Sequence, residues 1–298
     1  MTSIRVSLAT AALLGLKHCR VNAEPTTLYF MLPEPCHGGC RYCNQKNGYL
    51  SRVRWPEFDF SEVNKKVQNS GAQRICIQCP YHEHSAEAAA QAVRALDTSL
   101  PVSLSIHALT SDEMVMLREA GVERVGMGLD CATEAIFSKW KRDVPSWHEY
   151  KKSLYRAKRI FGDATCHLMV GLGEDDEDIV AVMREMAARG IRVALFAYFR
   201  GNETAVARPR YRALQIARHA IETDGATFSF EEGRLVEMEV SSLRREAFLT
   251  SGCPGCNRPF YNERVTKIYN HPCILNDEQA KRAFEEAQNY AKIHCTAE

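Results

Sequence analysis

The segment Cys36-His-Gly-Gly-Cys40-Arg-Tyr-Cys43 sets three cysteines at C-x3-C-x2-C spacing, directly after the apolar run Leu28-Tyr-Phe-Met-Leu32. Thiolates are soft ligands suited to iron–sulfur clusters, and three so close in sequence can hold three irons of a [4Fe–4S] cube. The remaining iron, without a protein ligand, is free to take a small molecule. Gly38 and Gly39 are expected to let the chain curl round the cluster at angles a side chain forbids. Tyr42, just before the third cysteine, offers a flat face to an adenine ring. A zinc knuckle is the competing use of such thiols. Zinc wants a fourth ligand at short range, and only His37 competes for that place, squeezed between the first two cysteines.

Two further stretches carry chemistry. In His167-Leu-Met-Val-Gly171-Leu-Gly-Glu174 a strand ends in a glycine turn with an acid behind it, so backbone can approach a ligand closely. An ordinary strand-to-helix turn gives the same string. From Thr250 to Arg264, the C-x2-C of Cys253 and Cys256 is wrapped in Gly and Pro, which marks a metal knuckle. Zinc there needs two more ligands, and Cys273 with His271 or His294 can supply them; a second iron–sulfur cluster needs much the same count. Asp130 closes another apolar run, where it can accept hydrogen bonds from a ribose or cap the next helix.

These residues must be positioned by the elements around them. Strand-like runs recur at Arg74–Cys79, Val102–His107, Arg124–Asp130, Thr165–Gly171 and Val193–Phe199, with helical patterns between them. A helix is expected from Asp59 to about Gln68, and others over Ser85–Leu96 and Tyr150–Arg159. Thr110-Ser-Asp-Glu113 is a capping box for a helix that Gly121 closes. Ile179, Val182, Met183 and Met186 share one helical face, with Gly190 at its end. Repeated βα units with near-continuous apolar strands call for a parallel sheet with helices outside it, and six or more such units make a (β/α) barrel, complete or partial. The first strand then delivers the cysteine loop to the C-terminal mouth of the barrel. Cys76, pointing towards that mouth, is either a ligand reaching the knuckle or a small buried hydrophobe. Cys79, Cys131, Cys166 and Cys295 read as structural, and Cys19 stays open. Leu50–Pro56 is expected to wrap over the site and Met1–Leu16 to form a helix on one end of the domain. Beyond about residue 224 the alternation weakens, though Ala226–Phe230 can form a further strand. The simplest division is a barrel over 1–240 and a cysteine-bearing extension over 241–298.

Composition sets outer bounds. With 298 residues, 45% hydrophobic and 25% charged, the chain is that of an ordinary globular protein with an ample core. A formal net charge of +1 gives no electrostatic case for nucleic acid or an anionic membrane surface. Twelve cysteines is a high count, and in an enzyme-like chain that favours metal over disulfides. The apolar start runs into Lys17-His-Cys-Arg20 without a cleavage pattern, and an oxygen-sensitive cluster belongs inside the cell, so a cytoplasmic location is expected.

The cysteine motif resembles the signature of radical S-adenosylmethionine (SAM) enzymes, and the turn Gly171–Glu174 resembles their SAM-contacting motif, with His167 where a glycine is usual. Ile4–Leu16, Pro25–Tyr29, Leu50–Pro56, Arg74–Gln78 and Ser251–Arg264 are similar to the biotin-synthase-like proteins that form a two-component lipoyl synthase. That resemblance implies a radical SAM barrel in which Cys36, Cys40 and Cys43 bind the SAM cluster. Tyr42, Asp130, Gly171 and Glu174 would contact the cofactor. Cys253 and Cys256, with Cys76, would hold an auxiliary [4Fe–4S] cluster that gives up sulfide. Val265-Thr-Lys267 stands where the family has a Pro-Gly-Gly type of turn, and Cys273 matches no family position, so the fourth auxiliary ligand is unassigned. Biotin synthase's other auxiliary-cluster cysteines would fall near Ser103 and Thr165. The implied substrate is an octanoyl chain on a lipoyl carrier protein, with a second radical SAM component and an electron donor as partners. Other radical SAM chemistry, such as a methylornithine-synthase-like mutase, would not need Cys253 and Cys256 as ligands. A non-enzymatic metal-binding protein would cleave no SAM.

Overall fold

The computed structural model describes residues 1–50, 53–200, 203–204, 206–223, 225–258, 263 and 266–296. In chain order the first part gives β1 (Ser3–Val6), α1 (Leu8–Leu13), β2 (Thr27–Met31), the small hairpin β3 (Tyr49–Leu50) and β4 (Val53–Arg54), β5 (Glu57–Asp59) and α2 (Phe60–Val67). Strand and helix then alternate through β6 (Arg74–Gln78), α3 (Ser85–Ala95), β7 (Val102–Ile106), α4 (Ser111–Glu119) and β8 (Val122–Asp130). The pair α5 (Glu134–Trp140) and α6 (Trp147–Phe161) leads to β9 (Ala164–Val170), α7 (Asp176–Ala187) and β10 (Arg192–Ala197). After the hairpin β11 (Phe199–Arg200) and β12 (Glu203–Thr204) come α8 (Arg208–Thr223), β13 (Ala226–Glu231), β14 (Arg234–Val240), α9 (Asp277–Gln288) and β15 (Lys292–Cys295).

Eight strands join in the order β10-β9-β8-β7-β6-β2-β1-β5. From β2 to β10 the six neighbours run parallel, while β1 lies antiparallel between β2 and β5. This is a partial (β/α) barrel. Its strands are not near-continuously apolar on both faces; they alternate. Leu28, Phe30, Ile75, Ile77, Leu168 and Val170 belong to the core shared with the helices. Tyr29, Cys76, Gln78, His167, Met169 and Phe196, one position out of step, line an interior cavity. A period of two in a pleated strand sends these sets to opposite faces.

The helices begin where their caps dictate. Thr110 Oγ1 accepts from Glu113 N at 3.3 Å while Glu113 Oε2 accepts from Thr110 N at 2.6 Å, the expected reciprocal box. Asp59 Oδ1 caps α2 through Glu62 N at 3.1 Å. Ser146 starts α6 earlier than expected, since its own box with Glu149 closes the first turn.

The N-terminus differs from expectation. Ile4 and Val6 are buried and alternate with Ser3 and Arg5, so that stretch pairs as β1, and the helix begins only after Ser7 caps it. The tail also folds back: α9 packs on α8, and β15 pairs in parallel with β14 in a three-stranded sheet. The division expected at 240/241 therefore runs between two strands that share hydrogen bonds. No helix among the described residues is long and apolar enough to cross a membrane.

Candidate functional site

The cysteine loop leaves the C-terminal end of β2, the end where parallel barrels place their chemistry. Backbone bonds lace it to neighbouring loops: His37 N to Tyr81 O at 2.7 Å, Gly39 N to Arg142 O at 2.8 Å and Arg41 N to Trp140 O at 2.9 Å. Gly38 and Gly39 do not adopt left-handed angles. What they supply is room, since a Cβ on Gly39 would lie 2.7 Å from Asp143 Oδ2 and one on Gly38 3.0 Å from Val144 Cγ1. Cys36, Cys40 and Cys43 are half-buried. Burial pushes the Cys40 thiol up to about 11 and that of Cys43 to about 12, with the neighbouring thiols adding to both. His37 is exposed and faces His82, with ring centres 6.1 Å apart.

Beside this loop, the Tyr42 hydroxyl donates to Asp130 Oδ2 at 2.6 Å, and Lys141 Nζ donates to the same oxygen at 3.0 Å. Asp130 sits at the end of β8 with φ 62°, in the left-handed region. The helix cap falls instead to Thr133, whose Oγ1 accepts from Ile136 N at 3.3 Å. Burial pulls the Lys141 ammonium down, but the Asp130 carboxylate outweighs it and leaves the pKa raised. Lys141 also lies 4.2 Å from the Tyr150 ring centre.

Gly171 and Glu174 are not part of the cavity wall. Glu174 turns back on its own loop, where Oε1 accepts from Gly171 N at 2.7 Å and Oε2 from Leu172 N at 2.8 Å, with Arg210 paired to it at 3.2 Å. Leu172 O accepts from Trp140 Nε1 at 2.7 Å, so this turn braces the segment that holds the cysteine loop.

A second set of thiols meets nearer the N-terminal ends of the strands. Cys76 comes from the inner face of β6, and Cys253 and Cys256 come from the tail. The tail is pinned by Asn257, whose Oδ1 accepts from Thr26 N at 3.2 Å and whose Nδ2 donates to Glu24 O at 2.8 Å. Ser251 Oγ accepts from Leu195 N on the edge strand β10 at 3.0 Å. Each thiol meets side chains of the barrel: Gln78 Nε2 lies 3.2 Å from Cys76 Sγ, with Ser103 also bonded to that thiol, Tyr29 OH 3.3 Å from Cys256 Sγ and Thr165 Oγ1 3.8 Å from Cys253 Sγ.

All six of these cysteines, with Tyr42 and Asp130, line one cavity of about 500 Å³. Cys19, Cys273, His271 and His294 do not line it. His271 lies against Arg212, and His294 against Glu237. Residues 51–52, 259–262 and 264–265 of the expected site segments lie outside the described residues. Among the described residues no three His, Cys, Asp or Glu groups are gathered at the distances of a single metal ion. Three thiols alone also fall short of the four-ligand shell of structural zinc. An all-thiol set of three on a half-buried wall fits the donor chemistry of an iron–sulfur cube, whose ligands attach to separate irons.

Several wall residues went unread in the sequence. Lys141, His107, Phe196 and Arg258 share the cavity. Arg258 lies 4.2 Å from the Phe196 ring centre, and its Nη2 is buried with no hydrogen-bond partner among the described residues. Burial, aided by Arg258, lowers the His167 pKa to about 4, and burial lowers that of His107 to about 4. The available signal was the alternation of small and polar residues within the strands: Ser103 with Ser105, Gly126 with Gly128 and Asp130, His167 with Met169.

A family profile described as "Radical SAM superfamily" matches residues 33–186, just over half of the chain. Among curated proteins, the biotin synthase of Persephonella marina is 30% identical over 171 residues, covering 52% of this chain and 49% of that protein. The biotin synthase of Mycolicibacterium paratuberculosis is 26% identical over 192 residues, covering 61% and 55%. The chain thus spans about half the length of the curated relatives it matches. Among solved structures, HydG, a maturase of the [FeFe]-hydrogenase, superposes with a TM-score of 0.52 at 14% identity over 66% of this chain and 49% of that one, a likeness of fold.

Proposed function

The chain belongs to the radical SAM superfamily, and from that premise we propose that it inserts sulfur, as one component of a lipoyl synthase acting on an octanoyl chain held by a lipoyl carrier protein. The observation that carries this reading is a single cavity walled by two separate trios of thiols. When bound, a [4Fe–4S] cluster on Cys36, Cys40 and Cys43 with SAM supplies a radical able to take hydrogen from an unactivated C–H bond, and a second cluster on Cys76, Cys253 and Cys256 supplies sulfide.

The chain's own residues hold and orient. Asp130, fixed by Tyr42 and Lys141, is the acceptor for ribose hydroxyls. The Tyr42 ring stands beside it for the adenine. Gly171 and Glu174 act one step back, by bracing the loop through Leu172 and Trp140. Met169, Phe196 and Ala197 give the wall an apolar side suited to an alkyl chain. Enclosure keeps competing hydrogen donors away and holds the reacting carbon between the trios.

Biotin formation is the second reading, favoured by the biotin synthase relatives. Against it stand Ser103 and Thr165, where the resemblance would place further auxiliary cysteines. Thr165 contacts Cys253, a thiol delivered by the tail, and Ser103 pairs in register with Cys76 on β6, so the thiols beside those two positions come from other segments.

The test is anaerobic turnover of an octanoylated carrier peptide with SAM and a reductant. Wild-type protein should add sulfur to the peptide, whereas Cys253→Ala with Cys256→Ala should still cleave SAM yet add none. Thiolation by that variant at the wild-type yield would show the knuckle to be structural. Biotin formation with no sulfur on any octanoyl substrate would replace the first reading by the second.

A further inference from the structure

We propose that Tyr29, Gln78 and Thr165 are positioning residues that donate hydrogen bonds to the sulfurs of Cys256, Cys76 and Cys253 and thereby set the reduction potential of the second cluster. This rests on the reading that those three cysteines ligate a cluster. Two ligands come from the tail and one from β6, yet these three side-chain donors come from the barrel wall: Tyr29 from β2, Gln78 from β6 and Thr165 from β9. The separations are 3.3 Å, 3.2 Å and 3.8 Å, and Arg258 N adds a backbone bond to Cys256 and Ser103 a side-chain bond to Cys76.

The direction of these bonds follows from chemistry. A thiol sulfur can donate or accept, but a thiolate bound to iron has lost its proton and can only accept. The hydroxyls of Tyr29 and Thr165 must then donate, as the Gln78 amide does. Tyr29 is already set for this, because its oxygen accepts from Arg258 N at 2.8 Å, which orients the phenol with its hydrogen towards Cys256. Packing with Met31 and Trp55 fixes the ring.

Adding an electron makes a cluster more negative, and a hydrogen bond to a ligand sulfur stabilises the more negative form. Three such bonds therefore raise the potential of the second cluster. A merely structural role predicts something else: loss of the bond would change stability and leave the potential alone.

The test is an EPR-monitored redox titration of the anaerobic holoenzyme with Tyr29→Phe, Gln78→Leu and Thr165→Val, each of which deletes a donor and keeps the shape. Each should move the midpoint of the second cluster to more negative values and leave that of the first unmoved. At the wild-type midpoint the reduced-to-oxidised ratio should fall several-fold, a tenfold fall being about 59 mV for one electron. Thr165→Val should have the smallest effect, its bond being the longest, and Thr165→Ser should restore the wild-type value. Midpoints unchanged in all three variants, with both clusters present, would overturn the proposal and leave the cluster assignment standing. An iron content and a second-cluster EPR signal undiminished in Cys253→Ala with Cys256→Ala would overturn the assignment itself, and this proposal with it.

Discussion

Burial governs the charge state of the histidines in the cavity. His107 and His167 are held at about 4, against about 6.5 for a free histidine, so both are neutral at pH 7. Between those values the unfolded chain binds protons that the fold refuses. The stability these groups contribute is therefore complete above about pH 6.5 and is lost progressively as pH falls towards 4. The gap corresponds to on the order of 3 kcal/mol for each residue. His167→Leu removes one titrating group while keeping an apolar contact with Phe196. Anaerobic urea denaturation at pH 7 and pH 5 should show the wild type losing more stability than this variant. Equal losses would mean that His167 does not resist protonation. Lys141 makes a contrasting case, because its partner Asp130 keeps it charged in a buried place.

At the level of elements, the tail knuckle depends on how closely it enters the barrel. Gly252 has φ 115°, and a Cβ there would lie 2.9 Å from Ala194 Cβ and 3.2 Å from Thr165 Cγ2. Gly252→Ala should cost roughly 1–3 kcal/mol of local strain and displace Cys253. The expected result is about half the wild-type iron, with one cube lost and the SAM cluster kept; full iron content would refute this. Elements also show what the sequence made legible. The barrel was readable because caps such as Thr110 and Asp59 and the recurrent strand runs are local signals. The cysteine loop was readable because its spacing is local too. Which strand face meets the cavity was less so: Cys76 with Gln78, and His167 with Met169, alternate inside runs that look apolar throughout. Lys141, His107 and Arg258 are single residues in loops, gathered only by pairing between distant strands. Segment Ser3–Val6, too short to show a helical or strand period by itself, becomes a strand because β2 and β5 flank it.

For the whole molecule, the count of thiols limits the chemistry. Beyond the two trios, Cys131 and Cys166 are buried in the core, Cys79 is buried with its Sγ 3.7 Å from Ile77 O, and Cys19, Cys273 and Cys295 are exposed and off the cavity wall. Among the described residues there is no third gathering of thiols at the cavity. On the function proposed above, a second cluster held by Cys76, Cys253 and Cys256 would supply the sulfur of one C–S bond and no more. A lipoyl group carries two such bonds on the same chain. On that same proposed function, a second protein with its own pair of clusters would supply the other sulfur. This chain alone, given an octanoylated carrier peptide, should stop at a product carrying one sulfur, and adding the partner component should carry that product on to lipoyl. Mass spectrometry of the peptide separates the outcomes by the number of sulfurs gained. Two sulfurs added by this chain alone would defeat the division of labour, because one cluster would then have made both bonds.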